Sequence, residues 1–174
     1  MLKTAVGLLA ISAAFFSGCA TGQADSTTFQ ADSLLAEWFS GPDKVHQAVQ
    51  LHEREPLSQE VDEIQGILVA HFRAVDYIIC GDVLAPLFNS DNDIHQIIAW
   101  QIIFGSGDWV EQHPEQADNI DAYTLAGLES GLRAYATALN QNSRAQSDLL
   151  DELLALYKNG QLQGWADDHP CRPS

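Results

Sequence analysis

The side chains best suited to acid–base chemistry fall within one predicted helical stretch. Glu63, His71 and Asp76 could provide a base, an acid or ligands for a metal ion, as in a hydrolase. A histidine that is hydrogen-bonded in the core, or one that lies at the surface, would give the same pattern. No catalytic residue and no metal ligand is therefore assigned, and these three residues remain candidates.

Sequence motifs that define known catalytic and metal sites are missing from the chain. His52-Glu53 begins like the zinc-protease motif, but Pro56 stands where the second histidine is needed and also ends the helix. Asp91 and Asp93 resemble the start of a calcium loop without its remaining ligands, and a helix start with capping carboxylates explains them. Glu-x-x-His, Cys-x-x-Cys-His and Gly-x-Ser-x-Gly do not occur, so no cofactor is expected.

The first 19 residues have the parts of an export signal. Lys3 gives a short positive region, and residues 5–16 form an apolar run shorter than the roughly 20 residues that span a bilayer. The sequence Phe16-Ser17-Gly18-Cys19 resembles the lipobox of bacterial lipoproteins, although that family usually has Leu at the position of Phe16. An ordinary signal peptide with an incidental cysteine is the alternative.

The lipobox resemblance implies a lipid anchor on Cys19. Cleavage before Cys19 would remove the signal peptide, residues 1–18, and leave a diacylglyceryl thioether and an acyl chain such as palmitate on the new first residue. Two or more chains anchor a protein stably. Because Ala20 and not Asp follows the cysteine, the sorting rule of such lipoproteins implies the outer membrane, with the protein facing the periplasm.

The charge of the chain excludes one class of partner. The full sequence has 24 acidic and 8 basic residues, and loss of Lys3 with the signal leaves 24 against 7, a formal charge of −17. Such a field repels phosphate backbones, so nucleic-acid binding is excluded. It is compatible with a basic protein partner, with loose divalent-cation association, or simply with solubility.

Two cysteines remain once the lipid takes Cys19. Cys80 and Cys171 are an even pair in an oxidising compartment, where disulfides form and persist. We expect a bridge between them, which would also tie the proline-rich C-terminal tail to the body. Two unpaired buried thiols are the alternative.

Hydrophobic spacing predicts an all-α bundle of five or six helices, some short, over residues 29–174, after a flexible tether, residues 19–28. Strand-like alternation of useful length is absent. The predicted apolar stripes begin with Leu34, Leu35, Trp38 and Phe39 before Gly41-Pro42. They continue with Val45, Val49 and Leu51 in a second short helix that Asp43 can cap and Pro56 ends.

The longest predicted helix begins at Ser58 and has a stripe from Val61 to Ile79, with Gly81 and Pro86 at its exit. Asp91 or Asn92 opens a central helix that Gly105-Ser106-Gly107 is expected to break. The next predicted helix, within residues 118–139, has a stripe of Leu125, Leu128, Leu132, Tyr135 and Leu139 beside the small residues Gly127, Gly131 and Ala134, which let another helix come close. The last predicted helix has a stripe from Leu149 to Tyr157 and is closed by Gly160.

Three functions fit these features. The first is a membrane-anchored accessory lipoprotein for protein binding or envelope assembly, whose partner is a protein with a basic or amphipathic segment. Its architecture is similar to that of secretin pilotins, which share no motif with it beyond a lipobox and a cysteine pair. The second is an envelope hydrolase, and the third is a purely structural envelope protein. An apolar groove would favour the first and a pocket of convergent polar groups the second. The four tryptophans could line such a groove or serve in packing.

Overall fold

The computed structural model describes residues 42–171. The predicted signal peptide, Cys19, the predicted tether and the predicted helix with Leu34 and Trp38 lie outside this part of the chain. Between residues 42 and 171 there are seven α-helices and no strand, so the all-α prediction is confirmed, with more helices than expected. None of these helices has the length and apolar character needed to cross a membrane.

The helices follow one another through short connections. They are α1 (Pro42–Arg54), α2 (Gln59–Phe72), α3 (Gly81–Phe88), α4 (Asp93–Gln112), α5 (Ile120–Gln141), α6 (Asp148–Lys158) and α7 (Leu162–Asp168), with single 3₁₀ turns at Pro114–Gln116 and Ser143–Ala145.

Polar caps set most of the helix starts. The Ser58 hydroxyl accepts a hydrogen bond from the backbone N–H of Val61, and the Asn92 side chain accepts one from Ile94, which confirms both predicted starts. Asp43 lies inside the first turn of α1 instead of capping it, because α1 begins at Pro42. Gly160, with a φ of 67°, ends α6 as predicted.

The most extensive helix pair, α4 with α5, forms the centre of the bundle. The small residues predicted to let another helix approach do so here. A side chain on Gly127 would overlap Ser106 and the Ile102 carbonyl, and one on Gly131 would overlap the Ile102 side chain. The glycines of α5 therefore fix the short distance between the two helices.

The predicted break at Gly105-Ser106-Gly107 is wrong, because α4 continues through it to Gln112. A glycine within a helix costs about 1 kcal/mol relative to alanine. Packing offsets that cost, since a Cβ on Gly105 would lie 2.6 Å from the Ser130 Cβ and one on Gly107 would overlap the Phe72 ring. Both glycines are required by neighbouring helices.

The stripe predicted to continue to Ile79 is also interrupted, because α2 ends at Phe72. The connecting segment, residues 73–80, is held by tertiary hydrogen bonds instead: the Tyr77 hydroxyl donates to the Ile103 carbonyl at 3.2 Å, and the Ile78 N–H donates to the Tyr123 hydroxyl at 3.1 Å. Gly81 then begins α3, which contains Pro86, where the sequence predicted only an exit.

Cys80 and Cys171 lie at disulfide-bonding distance, with Cα atoms 5.3 Å apart, as predicted. Cys80 is the residue before α3, and Cys171 follows α7, a short helix that the sequence did not predict. The bridge closes a loop of 91 residues, for which the chain-entropy model gives a stabilisation of about 4.6 kcal/mol.

Candidate functional sites

A groove of about 440 Å³ lies between the end of α2, the connecting segment, α3 and α4. We call it the apolar groove, because nearly all of its surface is hydrocarbon or aromatic. Its walls include Val69, Phe72, Leu84, Phe88, Trp100 and Ile103. Pockets of this size and character typically receive apolar side chains or apolar ligands.

Aromatic rings form the floor of the apolar groove. Phe104 stacks on Phe72 at 5.9 Å and on Trp100 at 5.7 Å, measured between ring centroids. Phe88 of α3 meets Trp100 edge-on at 5.3 Å. Such contacts stabilise rings in fixed orientations, so the floor is a preformed surface.

The rim of the apolar groove exposes one large hydrophobic side chain, that of Ile79. Ile78 and Ile79 are 37% and 49% exposed, the only large hydrophobic residues this open to solvent between residues 43 and 171, and Ile79 lines the groove. Arg73 is the one charged residue of the lining, while the exposed Asp76 and Asp82 adjoin the lining residues Tyr77 and Gly81 in sequence. Exposed apolar surface with a polar border is typical of interaction sites.

The wall beside Ile79 is anchored at two points. The Tyr77 hydroxyl is bonded to α4, and burial raises the pKa of Tyr77 well above that of an exposed tyrosine, so this donor stays protonated. Cys80, between the lining residues Ile79 and Gly81, is bridged to Cys171. The wall is therefore held in place although it has no helical structure.

A second concavity of about 390 Å³, the polar cleft, lies between α1, α4 and α5 on another face of α4. Its lining mixes imidazole, amide, carboxylate and guanidinium groups with the Trp109 ring, which stacks on His113 at 4.4 Å. This cleft is the part of the described chain that most resembles a catalytic pocket, so its hydrogen bonds decide what it can do.

His46 and Asp108 form the first hydrogen-bonded group in the cleft. The His46 Nδ1 lies 2.8 Å from an Asp108 oxygen, which also accepts from Gln112 at 2.7 Å, and the His46 Nε2 lies 2.6 Å from the Gln50 amide nitrogen. Burial raises the pKa of Asp108, and the hydrogen bond from His46 opposes that shift. With Nδ1 protonated, the imidazole donates to Asp108 and accepts from Gln50.

Glu53, Ser130 and Arg133 form the second group. The Arg133 guanidinium donates to both oxygens of Glu53 at 2.8 and 2.9 Å, and this pairing raises its pKa further. The Ser130 hydroxyl donates to Glu53 at 2.7 Å and accepts from the buried Gln101 amide at 2.7 Å. Ser130 is thus bonded to a carboxylate and an amide, not to an imidazole that could activate it as a nucleophile.

The predicted set of Glu63, His71 and Asp76 does not form one site. Asp76 lies in the connecting segment beyond α2, while Glu63 and His71 are eight residues apart, about 12 Å along the helix axis. His71 pairs with Glu111 of α4 at 2.7 Å, and the exposed Glu63 lies 3.5 Å from the Gln59 amide. Across residues 42–171 no three His, Cys, Asp or Glu residues are grouped to hold a metal ion.

Sequence reasoning missed both concavities. In the polar cleft His46 and Asp108 are 62 residues apart, and Glu53 is 77 residues from Ser130, so no local spacing reveals either contact. The i, i+4 pairs His46–Gln50 and Asp108–Gln112 are the only local signal. Trp100, one of the four tryptophans considered for a groove, lines the apolar groove.

Comparisons of the chain with family models, with curated proteins and with solved structures found no match.

Proposed function

We propose that this protein is a lipid-anchored accessory protein of the bacterial envelope that docks an apolar segment of a partner protein in the apolar groove. The observation that carries the proposal is the groove itself: an open aromatic floor with a rim that leaves Ile79 49% exposed. Leaving such surface uncovered favours aggregation, and covering it with a partner supplies binding energy.

The partner segment that fits best is an amphipathic helix with basic flanks. A groove between helices takes side chains spaced at i, i+3 and i+4 from one helix face. The formal charge of −17 that remains without the signal, and the exposed Asp76 and Asp82 beside the groove, favour positive charge at the edges of that helix. Binding should therefore weaken with added salt, since screening acts beyond about 8 Å at physiological ionic strength.

The two other functions have less support. A hydrolase needs a nucleophile beside a base or a metal set, whereas the polar groups of the cleft are bonded to one another and join α1 to α4 and α5. A purely structural protein gains nothing from an exposed apolar groove. The location remains part of the proposal, and the lipobox resemblance at Cys19 and the following Ala20 support an outer-membrane anchor facing the periplasm.

Photocrosslinking in intact cells tests the proposed docking. The crosslinker p-benzoylphenylalanine replaces Ala85, an exposed residue of the groove lining, and in a matched control it replaces Ala155, an exposed residue of α6. We expect a specific adduct with another protein from position 85 only. The crosslinked peptide of that protein should be amphipathic and flanked by basic residues.

A second matched pair shows whether the adduct depends on the groove. Ile79→Asp places a charge in the lining, whereas Ile78→Asp alters the neighbouring exposed isoleucine outside the lining. We expect Ile79→Asp to abolish the adduct and Ile78→Asp to preserve it, with equal helix content in both variants. Equal adducts from positions 85 and 155, or an adduct that survives Ile79→Asp, would overturn the proposal.

A further inference from the structure

The segment directly before α1, residues 29–41, has the composition of a groove ligand. Leu34, Leu35, Trp38 and Phe39 follow the spacing of one helix face, and the segment contains no basic residue. These four side chains match the type of surface that the apolar groove offers. The segment is also part of the same molecule, which gives it a high effective concentration at the groove.

The start of α1 lies near the end of α4 where the α2 wall of the groove is found. His46, one turn into α1, contacts Asp108, and at the end of α2 His71 contacts Glu111, three residues further along α4. Phe72, a residue of the groove wall, packs on Gly107 in the same part of α4. The chain that precedes Pro42 thus begins close to this end of the groove.

The segment is long enough to reach the groove. Thirteen residues extend about 20 Å as a helix and about 45 Å when fully extended. Because α1 contacts α2 as well as α4, the distance to cross is on the order of the width of one helix, about 10 Å. A few residues can cross that width and leave the apolar stripe free to enter the groove.

We infer that residues 29–41 occupy the apolar groove of their own chain and are displaced when the partner binds. The displacement step rests on the proposed function, whereas the occupancy does not. The charges make displacement possible: Asp32 and Glu37 of the segment are attracted to Arg73 but repelled by Asp76 and Asp82, while a basic partner gains from both aspartates. The segment is therefore a regulatory latch on the groove.

The crosslinker at Ala85 also tests the latch, in the full chain and in intact cells. We expect a product with the mass of one chain, in which the peptide of α3 is joined to residues 29–41. The same product should be missing when the crosslinker is at Ala155. Cells that make a mixture of ¹⁴N- and ¹⁵N-labelled chains show whether the link lies within one chain. A link between two chains, a link from position 85 to another segment, or no internal link overturns the latch.

A matched pair of substitutions separates the stripe from the rest of the segment. Trp38→Asp lies on the apolar stripe, and Ser33→Asp adds the same charge on the opposite face at helical spacing. Trp38→Asp should reduce the internal link at least tenfold and increase the partner adduct several-fold, while Ser33→Asp should leave both unchanged. An internal link that survives Trp38→Asp, or a partner adduct that does not increase, overturns the latch.

The two proposals can fail separately. An internal link without any partner adduct at position 85 contradicts the proposed function and leaves the occupancy standing. A groove-dependent partner adduct without an internal link contradicts the latch alone.

Discussion

Gly127 of α5 lies so close to Ser106 of α4 that a methyl group on Gly127 would overlap the Ser106 side chain. The same methyl group would lie 2.5 Å from the Ile102 carbonyl oxygen, which belongs to backbone and cannot rotate away. Gly66 of α2 is the opposite case, because nothing lies within 4 Å of the position that a Cβ would take. Substitutions at these two glycines therefore distinguish the effect of helix packing on stability from the effect of helix propensity.

We expect Gly127→Ala and Gly66→Ala to change the free energy of unfolding in opposite directions. Forcing α4 and α5 apart should cost about 1–3 kcal/mol, whereas alanine at the exposed helical position 66 should stabilise the protein by about 0.5–1 kcal/mol. Urea unfolding followed by circular dichroism measures both. The same sign for the two variants would contradict the packing of α4 against α5.

The stability of the bundle should depend on pH through His52. Its side chain is completely buried, lies edge-on to Phe104 at 5.3 Å, and has its Nε2 3.4 Å from the Gln65 side-chain oxygen. Burial lowers the pKa of His52 below its ordinary 6.5. The unfolded chain therefore takes up a proton at higher pH than the folded chain, and stability should be lost as the pH falls below about 6.5.

Comparison with His52→Gln isolates this contribution, because burial raises the pKa of Asp108 and gives the opposite trend at lower pH. Between pH 6.5 and 5 the parent protein should lose up to about 1.4 kcal/mol per pH unit more than the variant. Urea unfolding at pH 7.5, 6 and 5 measures the difference. Parallel pH profiles for the two proteins would show that the histidine is not buried in neutral form.

The helical class could be predicted because apolar residues recur every three to four positions, and such a stripe buries its face in any bundle. The helix ends that were predicted wrongly depend on contacts with residues that are distant in sequence. No residue close to Gly107 in sequence indicates that the Phe72 ring packs where a side chain at position 107 would lie. Likewise, the stripe at Val75 and Ile79 suits a helix, but hydrogen bonds from Tyr77 and Ile78 to α4 and α5 hold that segment in another form.

The candidate site was less predictable for a related reason. A catalytic set on one helix can be identified from spacing, and Glu63 with His71 was such a set, but their side chains have separate partners in the fold. The groove arises from the relative placement of α2, α3 and α4, which no single stretch of sequence encodes. Cys80 and Cys171 could be paired because only one pairing was available once Cys19 was assigned to the lipid.

Loss of Glu53 should cost more stability than loss of Arg133, although the two form one ion pair. The Arg133 side chain is 43% exposed, so water screens its charge and its removal should cost about 1 kcal/mol or less. Glu53 also accepts from the buried Ser130 hydroxyl, and Glu53→Ala would leave that donor unpaired at a cost of about 1–3 kcal/mol. Urea unfolding of Glu53→Ala and Arg133→Ala tests the order, and a larger cost for Arg133→Ala would contradict it.

Reduction of the Cys80–Cys171 bridge should lower the melting temperature and weaken binding in the apolar groove. The bridge stabilises by about 4.6 kcal/mol in the chain-entropy model, and 1 kcal/mol corresponds to about 2–4 °C for a domain of this size, so we expect a decrease of roughly 10–20 °C. Because Cys80 lies between the lining residues Ile79 and Gly81, the partner adduct from position 85 should also decrease.

A double variant, Cys80→Ser with Cys171→Ser, is the control for that measurement. It should melt at the lower temperature with or without a reductant. Alkylation of the parent chain should label neither thiol before reduction. Labelling of both thiols in the untreated protein would show that the bridge does not form.

Cys19→Ser should release the protein from the membrane fraction, either as unprocessed precursor or as soluble material. The matched control is Cys80→Ser, which removes a thiol of the bundle and should leave the protein membrane-bound, since two or more acyl chains on Cys19 suffice for stable anchoring. Cell fractionation with detection of precursor and mature size measures both. A Cys19→Ser protein that is mature in size and stays with the membrane would contradict the lipid anchor. In that case the export signal would be of the ordinary type, and an attachment other than a lipid on Cys19 would hold the protein at the membrane.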